Sequence, residues 1–143
     1  MKPTVTLGDA WNAELDAFLA ARIYEFNASA TGHADGRALT ATVDDAQGRR
    51  IAAASGHTWG GTCQLTSLWV EESHRRAGLG SALLRAVEDE ARRRGCAQVV
   101  LLTHDFQAPA FYERHGFEVV ATIDNHPLGW QNVVMRKALS PHS

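Results

Sequence analysis

The chain has 143 residues (15.6 kDa), 45% hydrophobic and 21% charged, the proportions of one globular domain over residues 1–143 rather than two with separate cores. A net charge of -2 and a pI near 6.4 exclude a protein held to nucleic acid or to a membrane surface by bulk electrostatics. The charge is unevenly spread, with five Lys/Arg against nine Asp/Glu up to Glu72 and nine against seven from Ser73 onward, which leaves room for a local anion site in the second half.

In chain order, residues 5–7 read as a short strand, and Asp9 offers an N-cap to a helix in which Trp11, Leu15, Phe18, Leu19, Ile23 and Phe26 recur at helical spacing. The polar stretch 27–37 reads as irregular, long enough to hold a second short helix or a flap over a site. Strand-like segments follow at 38–43, 51–57 and 63–70, with turn residues at 44–48 and 58–61, an antiparallel meander. After Gly78, the residues Leu79, Ala82, Leu83, Ala86, Val87 and Ala91 mark one face of a helix. Gly95 suits a left-handed stop there, and Arg92, Arg93 and Arg94 form a solvated cluster that complements the helix dipole. The apolar run Val99, Val100, Leu101, Leu102 reads as a strand covered on both faces. A short helix from Pro109 to a stop at Gly116 and two strands at 117–123 and 131–137 complete the order β-α-β-β-β-α-β-α-β-β, an α+β domain on a mixed sheet.

The segment from Leu68 to Ser81 lies between a strand and a strongly patterned helix and has the makings of an anion cradle. Glycines at 78 and 80 let the backbone approach a ligand, the first amides of the helix point outward at the positive end of its dipole, and Arg75 and Arg76 add charge for phosphate oxygens. No lysine follows either glycine, so this is no P-loop, and Leu83 stands where a dinucleotide fingerprint needs its third glycine. A lone G-x-G would serve equally well as a tight strand-to-helix turn.

The string Arg75-Arg76-Ala77-Gly78-Leu79-Gly80, preceded by Leu68-Trp69-Val70, resembles the R-x-x-G-x-G acetyl-CoA pyrophosphate motif of the GNAT superfamily of N-acetyltransferases. Ala108-Pro109-Ala110-Phe111-Tyr112-Glu113-Arg114-His115-Gly116-Phe117 is similar to that family's A-x-x-F-Y-x-x-x-G-F signature, at the expected distance. The resemblance implies an acyl-CoA N-acyltransferase fold with the fourth and fifth strands splayed around acetyl-CoA, and direct transfer of the acetyl group to an amine without a metal. It implies that backbone amides from Arg76 to Ser81 (Ala77, Gly78, Leu79 and Gly80 between them) bind pyrophosphate, that the Leu68, Trp69, Val70 edge pairs with the pantetheine arm, and that Ala108 and Phe111 flank the cofactor. The Val70 amide would polarise the thioester carbonyl, and Tyr112 would protonate the departing thiolate.

The base that takes the proton from the acceptor ammonium stays open. Glu71 at the fourth strand's end stands with the catalytic set, beside Glu25, His57 and the His104-Asp105 pair. Asp105 departs from the family, which often has asparagine there, so it is either an altered cofactor contact or an acidic group facing the amine. Loops at 24–27, 32–36, 58–61 and 124–129, with Glu25, Asp35, Asp124, Trp59 and Trp130, suit a small cationic acceptor. A peptide acceptor, or a non-catalytic acyl-CoA sensor of the same fold, is the alternative.

Cys63 and Cys96 have no framework spacing and read as reduced thiols of a cytoplasmic protein, and Cys63 lacks the partners of a nucleophile. The seven histidines lack zinc spacing. Neither a signal peptide nor a membrane span is expected, and the apolar last strands suit a homodimer.

Overall fold

The computed structural model describes residues 2–140 and divides into two compact units, Met1–Ala34 and Asp35–Ser143. The first unit holds one helix, α1 (Ala13–Thr31). Residues 5–7 form no strand, which corrects the first expected element: three alternating residues are too few to specify a pairing register. The helix is capped by Asn12, not Asp9, the Asn12 side chain accepting from the amide of Leu15 at 3.0 Å. It also runs on through residues 27–31, expected to be irregular, because their polar side chains are accommodated on the helix; the Thr31 hydroxyl donates to the Asn27 carbonyl at 2.7 Å. Gly32 ends it at φ 78°.

The second unit carries β1 (Arg37–Asp44), β2 (Arg50–Trp59), β3 (Thr62–Val70), a 3-10 turn (Glu72–His74), α2 (Leu79–Arg93), β4 (Gln98–His104), α3 (Pro109–Arg114), β5 (Glu118–Asp124) and β6 (Gln131–Ala138). The six strands form one sheet in the order β1-β2-β3-β4-β6-β5, and every neighbouring pair is antiparallel except β3 with β4. The α+β class and the meander expected for the strands before α2 are therefore present.

The apolar stripe of α2 buries Leu84, Val87 and Ala91 against Cys63 and Leu65 of β3, Val99 and Leu101 of β4 and Met135 of β6. The same helix face carries Glu88, only 4% exposed, whose Oε1 receives the ammonium of Lys137 from β6 at 2.6 Å. The three arginines at the end of α2 are not a uniformly solvated cluster. Arg93 is exposed, but the Arg94 side chain is 14% exposed, and its guanidinium donates to the Ala38 carbonyl (3.0 Å), the Thr58 hydroxyl (3.1 Å) and Glu90 (2.9 Å). Arg92 reaches Asp89 and the Ser140 carbonyl. Long stems let these cations turn back over the helix end and satisfy carbonyls there. Gly95 has φ 82°, the left-handed stop its position implied.

The sheet opens at its centre. β3 and β4 pair from Thr62 with Gln98 as far as Leu65 with Leu101 and then part. At that point β3 carries an extra residue: Ser67 pairs with Ser55 and Leu65 with Gly56, leaving Thr66 as a bulge. A bulge bends its strand and raises its twist, here carrying β3 away from β4. Gly56 makes the bulge feasible, because a Cβ at that position would overlap the Gln64 carbonyl oxygen. Among the described residues no helix is long and apolar enough to cross a membrane.

Candidate active site in the central cleft

The parting strands bound a cleft of about 850 Å³, within the second unit. Beyond the bulge, β3 remains tied to β2 on one side, the Glu71 amide donating to the Ile51 carbonyl at 2.8 Å. Backbone groups alternate sides along a strand, so the amide and carbonyl of Val70 face the opposite edge, the one β4 has left. The Val70 carbonyl is met by the Nε–H of Arg75 at 3.0 Å. Leu68, Trp69 and Val70 line the cleft on this side, and Leu102, Thr103 and Phe106 line it on the β4 side.

One end of the cleft is closed by the loop into α2. Arg76 and Gly78 both have left-handed backbones, φ 70° and φ 81°, and no side chain caps the first turn of the helix. The first bond of the helix runs from the Ala82 amide to the Gly78 carbonyl at 3.0 Å, so the amides of Leu79, Gly80 and Ser81, three residues that line the cleft, precede the helical ladder. Uncapped amides at the positive end of a 15-residue helix, with Arg75 and Arg76 beside them, fit an anionic diphosphate. Gly80 also has a packing role: a Cβ there would stand 3.4 Å from the Phe111 ring, so the glycine lets α2 and α3 approach closely. The Ser81 hydroxyl is bound to Nε2 of His115 at 2.9 Å, a second tie between the two helices.

The other end is walled by α3. Tyr112, 7% exposed, lies edge-on to Phe111 (5.2 Å) and Phe117 (5.6 Å) and lines the cleft with Ala108 and Phe111. Burial pushes its phenol above the ordinary value of 10, so the side chain holds its proton at neutral pH.

Of the residues assigned from the sequence to catalysis and cofactor binding, all but three line this one cleft. Ala77 does not line it, although its neighbours do. Asp105 does not line it either; its amide continues the β4–β6 ladder to the Gln131 carbonyl at 3.0 Å, and its side chain stands in the turn after β4. Glu71 borders a shallower depression with Glu72 and Ser73, and both of its oxygens are engaged: Arg49 donates to them at 2.7 and 3.2 Å, and His74 Nδ1 lies 3.0 Å from Oε2. Arg49 first, then His74, hold its carboxyl below the ordinary value of 4.5.

Of the other candidates, Glu25 pairs with Arg22 on α1 at 3.4 Å. Asp35 accepts from the Gly60 amide at 3.0 Å and Asp124 from Gln131 at 2.7 Å. Cys63 is buried, and burial pushes its thiol up to about 11, which leaves almost no thiolate for nucleophilic work. The cleft also takes in Phe106 and Gln107, which the sequence does not mark. An aromatic residue two positions beyond a strand end was the available signal.

The sequence profile of the acetyltransferase (GNAT) family matches residues 7–117. The chain belongs to the GNAT acetyltransferase family. Acetyltransferase Atu2258 of Agrobacterium fabrum is 30% identical over 117 residues, 82% of this chain and 85% of that protein. Blasticidin-S acetyltransferase of Streptomyces morookaense is 42% identical over 73 residues, 50% of this chain, which span about half (54%) of the relative's length. A solved acetyltransferase from Bacillus cereus has TM-score 0.79 and 25% identity over 94% of this chain and 98% of its own. The six-stranded sheet and its central opening are accordingly a GNAT architecture.

Proposed function

We propose that this GNAT protein moves an acetyl group from acetyl-CoA to a primary amine on a small cationic molecule, by direct attack of the amine on the thioester. The observation that carries the reading is that an uncapped, arginine-flanked helix start and a buried, protonated tyrosine stand at one cleft whose β3 edge is free of β4. The diphosphate of acetyl-CoA would rest on the amides of Leu79, Gly80 and Ser81, and its extended arm would add to the β3 edge in the manner of a strand. The Val70 amide, facing that edge, is then a donor for the carbonyl oxygen as it gains charge. As the amine nitrogen forms the C–N bond and the C–S bond breaks, the sulfur takes the phenolic proton of Tyr112.

The acidic first half of the sequence and the aromatic edge at Phe106 and Trp130 (5.3 Å apart) suit a cationic acceptor, and one relative is named for blasticidin S. Glu71 is a poor base, since a carboxylate held low by Arg49 has little appetite for an ammonium proton. The two buried free thiols fit a reducing cytoplasm. The test is release of free thiol from acetyl-CoA over a panel of small cationic amines, neutral amines and peptides. Turnover confined to cationic small amines is expected; turnover on peptides alone, or binding of acetyl-CoA without turnover on any amine, would overturn the reading.

A further inference from the structure

β4 ends on His104, one residue beyond the cleft-lining Thr103. Its ring lies flat on Phe106, centroids 5.1 Å apart and planes within 4°, and Phe106 lines the cleft together with Tyr112. Nδ1 of His104 stands 3.0 Å from the main-chain oxygen of His126. A carbonyl oxygen only accepts, so Nδ1 carries the proton, and the neutral ring presents a bare lone pair at Nε2.

This tautomer is held from several directions. The His104 amide donates to Oε1 of Gln107 at 2.8 Å, and the Gln107 amide returns a bond to the His104 carbonyl at 2.9 Å, which closes the turn carrying Phe106. His126 is fixed by its amide to the Trp130 carbonyl at 3.1 Å, and its own ring Nδ1 lies 3.2 Å from Nδ2 of Asn132, a residue 6% exposed. Asn132 is paired directly with His104 across the β4–β6 ladder. An imidazole oriented through one nitrogen, with the other left basic beside a cleft, is the arrangement a proton acceptor needs.

We infer that His104 is the general base of the transfer. This rests on the acetyltransferase reading above and names the residue that reading lacks. The ammonium of the acceptor gives one proton to Nε2 of His104, and the ring becomes imidazolium. The freed nitrogen lone pair forms the C–N bond, the C–S bond breaks, and the sulfur leaves with the proton of Tyr112. The nitrogen's second proton, which the neutral amide cannot keep, returns to the Tyr112 phenolate, and the imidazolium passes its proton to solvent. The titratable and polar groups on the neighbouring elements are Asp105 on the same turn, Asn132 paired with His104 on β6, His126 in the hairpin, and Asp124 on β5 beyond β6.

His104→Asn separates this role from a structural one, because the asparagine amide can still donate to the His126 carbonyl but offers no base. With the amine acceptor that the wild type turns over, kcat should fall about 10²-fold. The KM for acetyl-CoA should hold, and the acid-side limb of the pH profile should move to the alkaline range, where the amine loses its proton unaided. Long-range proton–nitrogen NMR of the wild type should show protonated Nδ1 and bare Nε2 at His104. The reverse tautomer, or a variant with an unmoved acid limb, overturns the base while leaving acetyl transfer intact. A wild type that binds acetyl-CoA and acetylates no amine overturns acetyl transfer, and the base falls with it.

Discussion

Tyr112 shows how one side chain acquires a role from its surroundings. A phenol in water titrates near 10, and here burial disfavours the phenolate further, so the side chain keeps its proton at neutral pH; in the proposed transfer it yields that proton only as the sulfur becomes basic. Tyr112→Phe keeps the ring contacts with Phe111 and Phe117 and removes only the hydroxyl. Steady-state kinetics should show kcat about 10²-fold lower with the thermal midpoint little changed. The sign of the shift adds a second expectation: a raised folded pKa means the acid is lost only as pH climbs past 10, so an alkaline limb below pH 10 in the wild-type profile must belong to another group. Gly56 is the other position where one atom decides much. Gly56→Ala places a Cβ on the Gln64 carbonyl oxygen and must shift the bulge at Thr66, so circular dichroism melts should show a destabilisation of about 1–3 kcal/mol, with acetyl-CoA affinity falling as the cleft closes.

At the scale of an element, the start of α2 does two jobs with two glycines. Gly78 sits at φ 81° with open space around its would-be Cβ, so Gly78→Ala meets no clash and costs the left-handed strain of about 1–2 kcal/mol. The loop should relax out of that conformation and turn its amides, and titration calorimetry with coenzyme A should show weaker binding. Gly80 faces the Phe111 ring at 3.4 Å, so Gly80→Val should push α2 from α3 and lower stability as well as affinity. Both glycines were visible in the sequence as a G-x-G, but that Gly80 meets the neighbouring helix while Gly78 faces open space was not, because that depends on Phe111, thirty-one residues from Gly80.

Across the whole molecule, α2 is clamped to β6 by a charge pair inside the core. Glu88 is almost fully buried, and its second oxygen, Oε2, has no partner among the described residues, so the carboxylate depends on Lys137 and, at 3.8 Å, on Arg92. Lys137→Met leaves that charge without its 2.6 Å partner and should cost about 3 kcal/mol in urea unfolding, the low end for breaking a buried pair because Lys137 keeps some exposure. Replacing Glu88 and Lys137 together by apolar residues should cost less than either change alone, and a double-mutant cycle measures the difference. The long-range fold was legible where a pattern spans a whole element: the stripe of α2 and the glycine stops at 95 and 116 lie where expected, and the run 99–102 does form β4, but it is not covered on both faces, since Val99, Leu101 and Thr103 are buried while Leu102 on the alternate face is 50% exposed. The ends of α1 were not, because Asn, Ser and Thr are as acceptable on a helix surface as in a loop, and three residues of alternation at 5–7 say nothing without a partner strand.

By itself the sequence determined the class of the fold and the elements that carry its two motifs, since each is written in local spacing: glycines two apart, an apolar stripe, an aromatic pair before a glycine stop; an anion cradle at 75–81 and an acid at Tyr112 are what the family resemblance implies. Tertiary structure alone decided the state of the ionisable groups. Glu71 and His104 look alike in sequence as candidate bases, yet Arg49, twenty-two residues from Glu71, quenches the one, and the main chain of His126, twenty-two residues from His104, leaves the other with a bare nitrogen. Proton affinity is set by what stands within a few ångströms in space, and chain spacing does not carry that information.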